Sequence, residues 1–152
     1  MLNVWISTEQ NLPASWLKIT GRYIVQNIAA ILAECARIPP ECRMVIDQIG
    51  RARLARTQLF WVQTDFFRSH LSGLYQQCND ATGDWIERVL FRSLGQMDAS
   101  SAKSFGTQPR LSGTWGSTGR RMNPGFFPFF VKACLRRINR LFDARYLWYP
   151  RG

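Results

Sequence analysis

The sequence is poor in the residues that much enzyme and metal chemistry needs. It has one histidine, His70, so a catalytic triad or a histidine-based metal site has a single imidazole to draw on. Its cysteines are Cys35, Cys42, Cys78 and Cys134. No two form a C-x-x-C pair, and their spacing is not that of a disulfide-rich secreted scaffold. Cys35 and Cys42 flank Pro39-Pro40, close enough in sequence to meet across a corner, and buried free thiols are the expectation.

Phosphate loops, G-x-S-x-G elbows and G-x-G-x-x-G turns are missing. The glycine-rich run at 113–119 exposes backbone amides but lacks the lysine and the strand–loop–helix setting, so it reads as a flexible loop. Acidic residues are scarce, and the nearest cluster, Asp80, Asp84 and Glu87, falls at a turn and a helix start. Capping explains it better than a carboxylate pair or a calcium loop. These absences lead to the expectation of a non-catalytic chain with no catalytic residues, no cofactor and no metal. No apolar run of the roughly 20 residues that a membrane span needs is present, and Met1 to Trp5 has neither the basic flank nor the apolar stretch of a signal peptide. A soluble, intracellular, cytoplasmic protein is therefore expected.

What is present is arginine and aromatic surface. Seventeen of the 20 basic residues are arginine, against 10 acidic residues, for a net charge of +10. The excess fits either selection for bidentate phosphate or carboxylate contacts or a coding bias. The charge is uneven: residues 1–97 carry +2 and residues 98–152 carry +8. A basic final third points to an anionic partner. Six Trp and ten Phe give ample core material, which argues against wholesale disorder.

Helical spacing dominates the reading of the chain. One helix is expected from 14 or 15 to 37, stopped by Ile38-Pro39-Pro40. A second is expected over 40–78, broken if anywhere at Gly50, and a third over 85–94 with Thr82 or Asp84 as cap. The stretch 95–125 reads as loop, and a last basic amphipathic helix as 129–147. The expected fold is all-α: a small helical bundle around one long central helix, with a long loop and a basic C-terminal helix. The expected organisation is a helical body (1–97), a Gly/Ser-rich loop or linker (98–125) and a basic aromatic helix (126–152), together forming one domain.

Two sets of residues are candidates for binding. Arg120, Arg121, Lys132, Arg136, Arg137, Arg140, Arg145, Tyr146 and Trp148 combine cations with aromatics. That mixture suits docking on an acidic protein surface and, alternatively, DNA or RNA, with a membrane surface a weaker fit. The plainer alternative is a helix whose aromatics pack into the body and whose arginine row is simply solvated. In this reading Lys132, Arg136 and Arg140 face outward, and Phe130, Cys134 and Ile138 lie away from them. The secondary set is Arg51, Arg53, Arg56, Gln63 and His70, of which Arg56, Gln63 and His70 are spaced by seven. On a helix they would form a polar ladder inside an apolar stripe, read chiefly as contacts that fix bundle register and secondarily as a groove for a partner.

Overall fold

The computed structural model describes residues 12–114, the backbone of 121–122 and of 126–142, and within the latter helix the side chains of 129–138. The element order is β1 (Ser15–Ile19), β2 (Tyr23–Val25), α1 (Ile28–Cys35), β3 (Met44–Ile49), β4 (Leu54–Gln63), α2 (Ile86–Gly95), β5 (Ala102–Lys103), β6 (Leu111–Thr114), β7 (Arg121–Met122) and α3 (Phe126–Phe142). This is a mixed α/β fold, so the expectation of an all-α helical bundle is wrong.

The largest error falls on 40–78. Its first half is the β3–β4 hairpin, closed by a 3-10 turn at Gly50–Ala52 and by Arg53 in the left-handed region at φ 50°. Only its second half is helical, in short pieces: Thr64–Phe66, a π turn at Phe67–Leu71 and a 3-10 turn at Leu74–Gln77. The physical reason is burial on both faces. A strand covered on two sides has apolar residues at consecutive positions, so its pattern satisfies a helical period by chance. Val45, Ile46 and Ile49, with the run Leu59-Phe60-Trp61-Val62, are the β-branched and aromatic residues that such strands favour. The expected helix at 14–37 likewise holds β1 and β2 in its first half, with α1 as its only helical part. β5 to β7 all fall within the stretch expected as loop.

A four-stranded sheet of order β1-β4-β3-β5 forms the centre. β4 runs antiparallel to both β1 and β3, and β5 adds parallel to β3, with Met44 opposite Ala102. Side-chain alternation divides two cores. On one face Met44, Ile46, Phe60 and Val62 meet Phe66, Phe67, Val89, Leu90 and Leu94, so α2 and the helical turns after β4 cover it. On the other, Val45, Leu59 and Trp61 meet Ile31 of α1 and Phe105. Fully burying each large apolar side chain contributes about 1.5–3 kcal/mol, and Ile31, Met44, Ile46, Leu94 and Phe105 are all closed to solvent.

β2, β6 and β7 form a second, antiparallel sheet. The segment between β5 and β6 is held beside α1 by two side chains. Asn27 donates from Nδ2 to the Gln108 carbonyl (2.9 Å) and accepts from the Arg110 amide at Oδ1 (2.8 Å). The Glu34 carboxylate accepts from the amides of Gly106 and Thr107. This fixes Phe105 and Gln108 over the sheet, where they meet α3. No helix among the described residues is long and apolar enough to cross a membrane.

Candidate functional site

The helix α3 carries four of the binding candidates, Lys132, Arg136, Arg137 and Arg140, and its apolar side faces opposite to the way expected. A single side chain pins it. Arg136 is closed to solvent and forks onto Asp47 of β3, with Nη1–Oδ1 at 2.7 Å and Nη2–Oδ2 at 2.6 Å. Nη1 also donates to the Phe105 carbonyl (2.6 Å), and Nε donates to Gln108 Oε1 (3.0 Å). A planar guanidinium satisfied on several sides is the one cation that suits this dry position.

The sheet face under α3 thus offers a carboxylate where an apolar residue would have drawn the helix's greasy side inward. Asp47 was not a candidate from sequence, although an acid inside the apolar run Met44–Ile49 needs a partner wherever that run is buried. The consequence lies on the opposite side of α3. Phe130 (55%), Val131 (40%) and Ile138 (51%) are exposed, and Cys134 is exposed with them. Phe129, Ala133 and Leu135 are half-buried. The expected outward row of Lys132, Arg136 and Arg140 is therefore broken at Arg136. Lys132 and Arg137 remain exposed, flanking the apolar stripe.

Lys132 also joins the two candidate sets. Partial burial, and then the positive charge of Arg56, lower the pKa of its ammonium. Arg56 stands on β4, and the exposed Arg51 and Arg53 sit on the turn that leads into that strand. Arg110 stacks its guanidinium over Phe129, 5.6 Å from the ring centroid. None of Arg56, Arg110 and Lys132 is ion-paired with a carboxylate among the described residues. Among the described residues these cations thus place net positive charge at the edge of α3.

The other ladder members do not join this cluster. Gln63 closes β4 and donates from Nε2 to the carbonyls of Pro40 (3.1 Å) and Cys42 (3.3 Å), which is a loop staple. His70 is exposed on the π turn, stacked on Phe66 at 4.9 Å. Its Nδ1 is 2.7 Å from Ser69 Oγ, which is 2.8 Å from the Asp65 carbonyl. A carbonyl can only accept. If both contacts are hydrogen bonds, the serine proton points to Asp65 and the imidazole donates to Ser69, the reverse of what nucleophile activation requires. A concavity of about 890 Å³ passes these residues, lined among others by Trp61, Gln63, Asp65, Arg68 and Ser69, and Arg43 pairs with Asp65 there.

No group of three or more His, Cys, Asp or Glu among the described residues is placed to hold a metal ion. Arg121 and Arg140 are described in backbone only, and Arg120, Arg145, Tyr146 and Trp148 lie outside the described residues.

What the fold and site define is a basic α/β protein whose helix α3 presents an apolar stripe between cations. No protein-family model, curated protein or solved structure matches the chain.

Proposed function

We propose that this chain is a non-catalytic interaction protein that docks onto an acidic protein surface through the outward face of α3. The observation that carries this reading is the orientation of the helix. Arg136 is spent on Asp47, while Phe130, Val131, Cys134 and Ile138 stay at the surface between Lys132 and Arg137. Exposed apolar side chains rimmed by charge are the usual make-up of a docking patch. The excess of basic residues selects for an acidic partner and speeds the encounter.

The test is Val131→Glu combined with Ile138→Glu. Both side chains are exposed, so unfolding should change little. A partner found by cross-linking is purified and titrated against both proteins at several salt concentrations. The expected result is binding that weakens with salt and is lost in the double variant, whose thermal unfolding matches wild type. Equal binding by the variant, or a partner surface without acidic residues, refutes the reading.

A second reading has one specific observation in its favour: Arg56 acts on Lys132, and Arg51 and Arg53 lie on the adjoining turn, an arrangement suited to a phosphate backbone. Under this reading the chain binds generic single-stranded DNA or RNA, and Arg56→Ala with Lys132→Ala flattens the salt dependence. An unchanged slope rules those two cations out as phosphate contacts.

A further inference from the structure

On the face of the sheet covered by α1, a groove of about 720 Å³ opens between that helix, the bend at 38–42 and the segment running from Lys103 to Thr107. Ligand pockets span about 300–1,000 Å³, so the volume suits a small molecule. Two features of its lining define what would fit.

The first is charge. Three cations from three separate elements line the groove: Arg37 just past α1, Lys103 on β5 and Arg137 on α3. None of them forms an ion pair with a described carboxylate. The groove has one acid, Glu34, and both of its oxygens are engaged by backbone. Oε1 accepts from the Gly106 amide (2.5 Å) and Oε2 from the Thr107 amide (2.7 Å). The carboxylate thereby shapes the segment opposite α1, and two amide dipoles offset its charge. Three cations gathered around one concavity favour an anion there.

The second feature is an apolar lining. Ala30, Ala33, Ile38 and Val45 contribute to the same groove. A bare inorganic ion would leave these surfaces in water.

We infer that this groove binds an amphiphilic organic anion: a carboxylate or phosphate head met by Arg37, Lys103 and Arg137, on a short apolar body lying along Ala30, Ala33, Ile38 and Val45. The site is separate from the outward stripe of α3 and shares only Arg137 with the flanks of that stripe.

The full chain is titrated by calorimetry with octanoate, octyl phosphate, octanol and inorganic phosphate. Octanoate and octyl phosphate separate the two head groups, octanol removes the charge, and inorganic phosphate removes the apolar body. One or both of the anionic amphiphiles should bind at least tenfold more tightly than octanol and than inorganic phosphate. Lys103→Ala with Arg137→Ala should weaken that binding at least tenfold without changing thermal unfolding. Arg37→Ala, exposed and outside every strand, gives the same reading should the change in β5 disturb the sheet. Absence of binding by both amphiphiles, equal binding of octanol, equal binding of inorganic phosphate, or unchanged affinity in folded variants each overturns the inference.

Discussion

Replacing Arg136 by methionine keeps much of the side-chain volume and deletes the charge. Asp47, whose side chain is only 6% exposed, would be left as a buried carboxylate without its cation, and the Phe105 carbonyl and Gln108 Oε1 would each lose a donor. Removing one partner of a buried ion pair typically costs about 3–5 kcal/mol. For a chain of this size each kcal/mol shifts the melting temperature by about 2–4 °C, so Arg136→Met should lower it by roughly 6–20 °C.

The informative measurement is the full cycle. Asp47→Leu alone strands the guanidinium, whereas Arg136→Met with Asp47→Leu removes both charges and leaves only the Phe105 carbonyl and Gln108 Oε1 short of a donor, so it should be no less stable than either single variant. The coupling read from urea unfolding by circular dichroism should therefore exceed about 2 kcal/mol. Arg136→Lys retains the charge but cannot fork onto both carboxylate oxygens, so it should fall between wild type and Arg136→Met. Limited proteolysis within 126–142 shows whether α3 releases before the sheet melts. Additive single effects, or Arg136→Met within 0.5 kcal/mol of wild type, would refute the view that this pair holds the helix.

Other consequences follow from single residues. Gly113 has φ +148°, and a Cβ there would overlap the Arg22 carbonyl oxygen; Gly113→Ala should cost at least about 1–3 kcal/mol from backbone strain alone, visible in urea unfolding. Gly95→Ala, with nothing within 4 Å of the added carbon, should be neutral or stabilising by up to about 1 kcal/mol. Desolvation, and secondarily Glu34, push the Cys35 thiol up to about 11. At pH 8 its alkylation by iodoacetamide should be roughly a hundredfold slower than that of an ordinary exposed thiol, and mass spectrometry would show this. The Arg92 and Thr82 hydrogen bonds lower the pKa of Asp84. A depressed carboxylate stabilises the fold above its unfolded pKa. The stability gap between wild type and Asp84→Asn should be present at neutral pH and close as pH falls through the folded value. A gap that persists at the acid end contradicts the assignment.

How much could be read from the sequence depended on how many sides of an element are buried. α2 was legible because only one side meets the sheet: Val89, Leu90 and Leu94 are buried there, and the observed Ile86–Gly95 lies close to the expected 85–94. β3 and β4 were not, because a sheet covered on both faces removes the period-two alternation that marks a strand. Gly50, read as a weak point in a helix, is where the hairpin turns. α3 was legible as a helix, and the observed Phe126–Phe142 overlaps the expected 129–147. Its direction of facing was not legible, because amphipathicity divides a helix into two sides without saying which is outside. Asp47, 89 residues earlier in the chain, decides that, and nothing local to α3 reports it.

That long-range decision links the fold to the proposed docking surface. If α3 had buried its apolar side, Arg136 would sit in water and the stripe of Phe130, Val131 and Ile138 would belong to the core. As folded, these three side chains are each roughly half exposed. At about 1.5–3 kcal/mol for full burial of each, covering what remains exposed would contribute roughly 2–4 kcal/mol. A micromolar complex requires about 8 kcal/mol of net binding free energy after the cost of association. The stripe can therefore orient a partner but cannot by itself hold one. The remainder has to come from additional contact area and from the cations beside it, Lys132 and Arg137 among them. Charge complementarity is consequently a requirement of the docking proposal. A partner held at α3 with no dependence on salt would contradict it as directly as no partner at all.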